Sequence, residues 1–173
     1  MILTCIAAVD SNWGIGYKGQ LPWPKIKRDL KHFQNYTIGK AVLMGANTYY
    51  SVGPLAGRAM FVVQRTKSRD PGVYAVHTVA EAIELLDSNI QELVVMGGEY
   101  IYKQAADKCD RLILTQIAGT YPADKFLPDP LRATDHRCMH NWQLGSALYY
   151  KSEQDTPTMI IAAFNRIRTP CEH

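Results

Sequence analysis

Short apolar blocks alternate along the chain with stretches in which apolar positions recur at helical spacing. The blocks Ile2–Val9, 41–44, Ala59–Val63, Val73–Val76, 92–96 and 111–118 read as strands. Helical patterns fill most of the gaps. One covers 24–35, where Ile26, Leu30 and Phe33 share a face. A second covers 79–86, where Thr78 and Glu81 stand at capping-box spacing and Val79, Ile83 and Leu86 form the buried side. A third begins near Glu99. Strands separated by helices need crossover connections, so the expected class is α/β, with a mostly parallel central sheet flanked by helices. After Asp124 the pattern changes. Tyr149-Tyr150 and 159–164 flank the polar stretch 152–157 and predict a C-terminal antiparallel hairpin at the sheet's edge. With no linker, repeat or low-complexity segment, 1–173 is expected to form a single domain.

Within the 24–35 helix, Asp29 projects among the apolar positions, while Arg28 and the lysines take the other face. An ionised carboxylate among apolar side chains costs several kcal/mol unless something pairs with it. Burial raises its pKa or demands a partner. Two readings stand side by side: a surface acid at a wet stripe edge, or a buried acid whose partner is a ligand.

Composition narrows the partners. Charged residues make up 20% of the 173 and the net charge is +3, dispersed along the chain, which argues against nucleic acid or an acidic membrane as partner. The run Lys25, Lys27, Arg28, Lys31 reads as a solvated helix face. Ile2–Val9 is too short to span a bilayer and lacks a basic leader. Cys5, Cys109, Cys138 and Cys171 have neither metal-ligand nor redox-motif spacing, so reduced thiols in a cytoplasm are expected. His136, Cys138 and His140 alternate but have no fourth ligand nearby, and no metal is expected there. A monomer is the default, because no exposed apolar stripe announces a partner.

Two turns carry candidate chemistry. In Val94-Val95-Met96-Gly97-Gly98-Glu99 a buried strand runs through paired glycines into a helix, and Met44-Gly45 with Thr48 has the same shape. Residues without a Cβ let backbone approach a ligand, and helix N-termini favour phosphate. Each could be a plain tight turn. Two at carboxyl ends of strands favour a nucleotide.

In order and spacing, Ile6-Ala7-Ala8-Val9, Gly14-Ile15-Gly16, Leu21-Pro22-Trp23, Asp29 with Phe33, Met44-Gly45 with Thr48, Gly57-Arg58 and Gly97-Gly98 resemble the dihydrofolate reductase family, through Pro128 closely and over the terminal hairpin more loosely. The resemblance implies a single-domain dihydrofolate-reductase-like fold and hydride transfer from NADPH to 7,8-dihydrofolate. By resemblance, Asp29 would bind the pterin and assist protonation of N5, Thr115 would orient it, and Trp23 would anchor a water beside it. Leu30, Phe33 and Leu55 would line the ring slot, Ile6 would offer its carbonyl to the pterin amino group, and Arg58 would grip the glutamate-tail carboxylate. Ala8 would lie beside the nicotinamide, with Gly14, Ile15, Gly16, Tyr17, Lys18, Gly19 and Gln20 as the loop closing over both reactants. Gly97, Gly98, Glu99, Tyr100, Ile101, Tyr102, Lys103 and Gln104 would cradle the pyrophosphate, Tyr102 packing towards the nicotinamide ribose. Asn47 and Thr48 would join them, with Gln64, Arg65 and His77 on the adenosine side and Arg65 on the 2′-phosphate.

The sequence also departs from the family. Ala46-Asn47 stands where an arginine or lysine usually meets the cofactor phosphates, leaving Arg65 or Lys67 to compensate. Lys125 replaces a threonine, and the segment between Val52 and Leu55 is short. Two rival readings remain: a related pterin or pyrimidine reductase, which would have no use for Arg58, and a non-catalytic binding or structural module.

Overall fold

Strand β1 (Ile2–Val9) lies inside the sheet of the computed structural model, which describes residues 1–66, 68, 70–153 and 156–167. Lys67 and Cys171 lie outside these residues. The chain continues through a short β2 (Gly14–Gly16), helix α1 (Lys27–Thr37), β3 (Ala41–Gly45), α2 (Ala46–Val52), β4 (Ala59–Val63) and β5 (Val73–Val76). Then come α3 (Val79–Glu84), β6 (Glu92–Val95), α4 (Glu99–Ala105), β7 (Arg111–Ile117), β8 (Lys125–Phe126), β9 (Trp142–Tyr150) and β10 (Met159–Arg166).

The main sheet runs β5-β4-β3-β6-β1-β7-β10-β9. The pairs up to β1–β7 are parallel and β10 runs antiparallel to both neighbours, as the strand–helix alternation and the terminal hairpin predict. Strands β3, β4 and β5 step outward in sequence. The chain then returns to insert β6 between β3 and β1 and to lay β7 on the far side of β1. A reversal of this kind marks the crevice outside the carboxyl ends of the strands, where open α/β sheets hold ligands.

Both sheet faces are covered, which is why the inner strands read as unbroken apolar runs. On one face Leu3, Cys5, Leu93 and Leu112 pack with Val79 of α3 and Ile101 of α4. On the other, Ile6, Val42, Val94 and Ile113 pack with Phe33 and Tyr36 of α1.

Several bounds differ from the sequence expectation. Helix α1 begins at Lys27 rather than residue 24, because Ile26 is extended (φ −99, ψ 104) and serves as its N-cap. Helix α3 stops at Glu84. Its Thr78 cap accepts the Glu81 N–H at 3.0 Å, but the Glu81 carboxylate reaches back to the His77 N–H at 2.6 Å. Strand β9 starts at Trp142, well before Tyr149. Its side chains are exposed from Gln143 to Tyr149, so burial never imprinted an apolar pattern on it. The pair β2–β8 is too short to leave one.

Among the described residues no helix is long and apolar enough to cross a membrane, and no group of three His, Cys, Asp or Glu could hold a metal ion. Of the alternating trio, Cys138 is buried while His136 and His140 are exposed around a short turn.

Candidate active site

Asp29 stands in the first turn of α1 with 7% of its surface exposed. The wet-edge reading therefore falls. Burial raises its carboxyl above the ordinary carboxylate range, while a hydrogen bond with the Thr115 side chain and the nearby His32 draw it back. Thr115 is itself buried, and the strand register seats it between Ala8 of β1 and Ile161 of β10. The acid thus sits at the crevice edge over the end of β7. Trp23 is buried beside Ile26 and Ile161, its ring edge-on to Tyr121 at 6.1 Å. Its indole N–H is buried and has no protein acceptor among the described residues.

Leu30 and Phe33 are half-buried, as residues lining a slot should be. Phe33, Leu55 and Met96 pack on the same cluster as Ile6. The Ile6 carbonyl accepts the Tyr102 hydroxyl at 2.6 Å. Tyr102 is buried, which with the Cys5 and Cys109 thiols pushes its hydroxyl far up, so it remains a donor. Its hydroxyl is therefore directed to the β1 backbone, a position that the ribose-packing expectation did not foresee. A carbonyl has two lone pairs, so this bond alone does not exhaust Ile6 as an acceptor.

Arg58 is held in place before any ligand arrives. Its guanidinium donates to Thr37 Oγ1 at 2.9 Å, to the Ala56 carbonyl at 2.8 Å and to the Gln34 carbonyl at 3.3 Å, fastening it to the carboxyl end of α1.

On the opposite side of the crevice, the Gly97–Gly98 turn follows β6. Gly97 has φ +123, a conformation that favours glycine, and a Cβ on Gly98 would lie 3.2 Å from Thr48 Oγ1. The Gly97–Gly98 peptide is cis. Gly45 donates its N–H to the Gly97 carbonyl at 2.9 Å, so the two glycine turns are joined, and the Thr48 hydroxyl lies against the Gly97–Gly98 turn. Ile101 is buried beneath, and Asn47 is exposed at the first turn of α2.

Other residues of this stretch point elsewhere. Glu99 and Lys103 pair with each other at 3.0 Å, Tyr100 is exposed, and Gln104 accepts the Val79 N–H at 3.4 Å, tying α4 to α3. Gln64 is half-buried after β4, and Arg65 is exposed with no ion-pair partner among the described residues. His77 is exposed and lies 3.1 Å from Glu81. The hydroxyl of Tyr49 on α2 donates to the Asp70 carboxylate, bracing the segment after β4.

The loop 14–20 is fastened to the 124 segment and to α2. Gly16 accepts the Asp124 N–H at 2.9 Å, Lys18 N–H donates to the Asp124 carboxylate at 3.0 Å, and Ser51 Oγ donates to the Gly19 carbonyl at 2.9 Å. Tyr17 and Gln20 close a small bridge, and Ile15 packs against the core.

Two contributors escape the sequence reading. Met96 looks like an ordinary strand end, although its place just before paired glycines could have marked it. Asp10 is buried at 3% exposure and accepts N–H bonds from Asn12 at 2.9 Å, Gly14 at 2.8 Å and Tyr121 at 2.9 Å, fixing the loop's root. A Cβ on Gly14 would come within 2.7 Å of Ala123, so loop and segment meet backbone to side chain. An acid directly after a buried strand is the one faint signal that could have marked it.

The sequence model described as dihydrofolate reductase matches residues 2–164. Dihydrofolate reductase type 3 of Salmonella typhimurium is 37% identical over 133 residues, covering 76% of this chain and 81% of that one. The dihydrofolate reductase of Aedes albopictus is 36% identical over 145 residues, covering 72% and 77%. The solved dihydrofolate reductase of Enterococcus faecalis, complexed with NADP(H) and RAB-propyl, superposes with a TM-score of 0.84 at 26% identity, covering 96% of this chain and 97% of its own. A buried acid on the first helix, a pinned arginine and joined glycine turns thus accompany a match over nearly the whole length, and the chain belongs to the dihydrofolate reductase family.

Proposed function

We infer that this protein is an oxidoreductase that reduces 7,8-dihydrofolate to 5,6,7,8-tetrahydrofolate with NADPH. The observation that carries this reading is the sheltered Asp29 carboxyl, held by Thr115 in the first turn of the helix whose far end fastens Arg58. A buried acid flanked by half-buried Leu30 and Phe33 suits a flat heterocycle that donates two N–H groups to it. The joined turns at Gly45 and Gly97-Gly98, open where a Cβ would crowd Thr48, fit a pyrophosphate, and the E. faecalis relative carries NADP(H).

When bound, NADPH supplies the hydride that goes to pterin C6. The remaining work falls to the chain's own groups. Asp29 binds the pterin edge and assists delivery of a proton from water to N5, and Thr115 keeps its carboxyl turned to the ring. The buried indole N–H of Trp23, without a protein acceptor among the described residues, supports its place as the anchor of that water. Ile6 offers its carbonyl to the pterin amino group, Arg58 takes the tail carboxylate, and the loop 14–20 keeps bulk water from the reacting carbons. Thr48, Asn47 and the 97–104 turn hold the phosphates, Gln64 and His77 flank the adenosine, and Arg65 meets the 2′-phosphate. The protein acts as a cytoplasmic single-domain monomer in this reading, and neither nucleic acid nor membrane is a partner.

The test is turnover. Purified protein given dihydrofolate and NADPH consumes the reduced-nicotinamide absorbance, and Asp29→Asn lowers the rate at neutral pH by about a hundredfold to ten-thousandfold. Unchanged turnover in the variant overturns the role of Asp29. Binding of both ligands without any hydride transfer would leave a non-catalytic module.

A further inference from the structure

His32 follows Asp29 by one helical turn on α1, at the i, i+3 spacing that makes side chains neighbours. Its ring is half-buried and tilts against Tyr36, with centroids 6.3 Å apart. Its Nε2 is buried and, among the described residues, has no hydrogen-bond partner. Packing alone does not account for such an atom, because a phenyl or phenol would fill the same space without desolvating a ring nitrogen.

We propose that His32 is a positioning residue for Asp29: its imidazole supplies a proton-dependent positive charge that keeps the neighbouring carboxylate ionised and able to accept a ligand as the solution becomes acidic. The two groups influence each other. Burial lowers the proton affinity of His32 and Asp29 raises it again, while His32 lowers that of Asp29 against the opposite effect of burial. Burial shifts both groups against their charged forms, and each charge opposes that shift in the other.

The other ionisable groups around this face are engaged elsewhere. Arg28 lies over the Tyr150 ring and 3.9 Å from Glu153, and Lys31 points to solvent. The Tyr36 hydroxyl donates to Glu92 of β6, which also meets Lys40 at 2.6 Å and Arg111 of β7 at 3.9 Å. Thr115, from β7, is uncharged. Among these groups His32 is the ionisable neighbour left facing Asp29, one helical turn away.

The electrostatic claim stands in the free protein, and only its kinetic consequence rests on the proposed function. Carboxyl and imidazole resonances of the full labelled chain, followed with pH, give the titration midpoints directly. His32→Phe and His32→Gln are expected to raise the Asp29 midpoint by about half a pH unit, and His32→Lys to lower it. Asp29→Asn is expected to lower the His32 midpoint, because the carboxylate raises it. A merely structural role would leave the midpoint unmoved in whichever variants fold, and that result overturns the proposal. Steady-state profiles then separate the two ideas. If the acid limb of kcat/KM for dihydrofolate moves with the midpoint, both hold. If the midpoint moves and the limb does not, the coupling stands and the role given to Asp29 falls.

Discussion

Asp29 titrates at higher pH in the folded chain than its ordinary value of 3.8, because burial outweighs Thr115 and His32. In the unfolded chain it returns to that ordinary value. Between the two values the native state holds a proton that the unfolded state has lost, so stability falls as pH rises through this window. The penalty is complete above the folded value. Asn carries no such penalty and can still accept a bond from Thr115. Asp29→Asn should therefore be more stable than the parent at neutral pH, and the advantage should vanish below the ordinary carboxylate range. Urea unfolding of the two proteins in acid and neutral buffer measures it; an advantage that does not depend on pH would remove the buried charge from the account. Arg58 contrasts with it. Arg58→Ala loses a charge-assisted carboxylate contact of about 1.5–3 kcal/mol, so KM for dihydrofolate should rise roughly tenfold to a hundredfold with kcat little changed, while a pterin lacking the tail should not notice. An unchanged KM for dihydrofolate in Arg58→Ala would favour the rival reductase reading. Asp29 is legible in sequence because a lone acid breaks an apolar stripe. Arg58 is not, for without the family resemblance a loop arginine carries no pattern, and its pinning by Gln34, Thr37 and Ala56 is visible only in three dimensions.

The inner strands announce themselves because burial on both faces leaves only apolar choices, and Ile2–Val9, Ala59–Val63 and Val73–Val76 end where the apolar runs end. Strand β9 faces solvent, so no such filter acts on Trp142–Tyr150 and its first half is silent. Asp10 is hidden for another reason. Acids are common after strands as turn residues, and nothing local reveals that one oxygen reaches Tyr121, 111 positions away. That carboxylate joins the root of the 14–20 loop to the 119–127 segment, which also receives Ser11 N–H at the Gly119 carbonyl and gives Leu127 N–H to the Trp13 carbonyl. Asp10→Ala leaves three backbone donors unmet and should cost about 2–4 kcal/mol. Asp10→Asn, which keeps one acceptor oxygen, should cost less. Denaturant midpoints give the cost, and amide exchange locates it: protection should fall at Asn12, Gly14 and Tyr121 before the central strands. If the Tyr121 amide keeps its protection in Asp10→Ala, the two segments are not joined through this carboxylate.

The two halves of the site come from opposite sides of β1. In the proposed function the heterocycle side would draw on α1 and β7, and the phosphate side on the ends of β3 and β6 with the starts of α2 and α4. Such a site exists only in the assembled sheet, so a ligand that fills it stabilises the whole chain by mass action. NADPH at a hundred times its Kd should add about 2.7 kcal/mol, or about 5–10 °C in melting temperature for a chain of this size. How much of that belongs to the 2′-phosphate depends on few groups. Ala46 brings no charge to the phosphates, and Arg65 is exposed and without an ion-pair partner among the described residues, so it is free to take one. A single charge-assisted contact is worth about 1.5–3 kcal/mol. NADH at the same concentration should accordingly protect less than NADPH, and Arg65→Ala should bring NADPH down to the level of NADH while leaving NADH protection unchanged. Thermal melts of parent and variant with each cofactor decide it. A variant that still distinguishes the two cofactors as the parent does would move recognition of the 2′-phosphate away from Arg65.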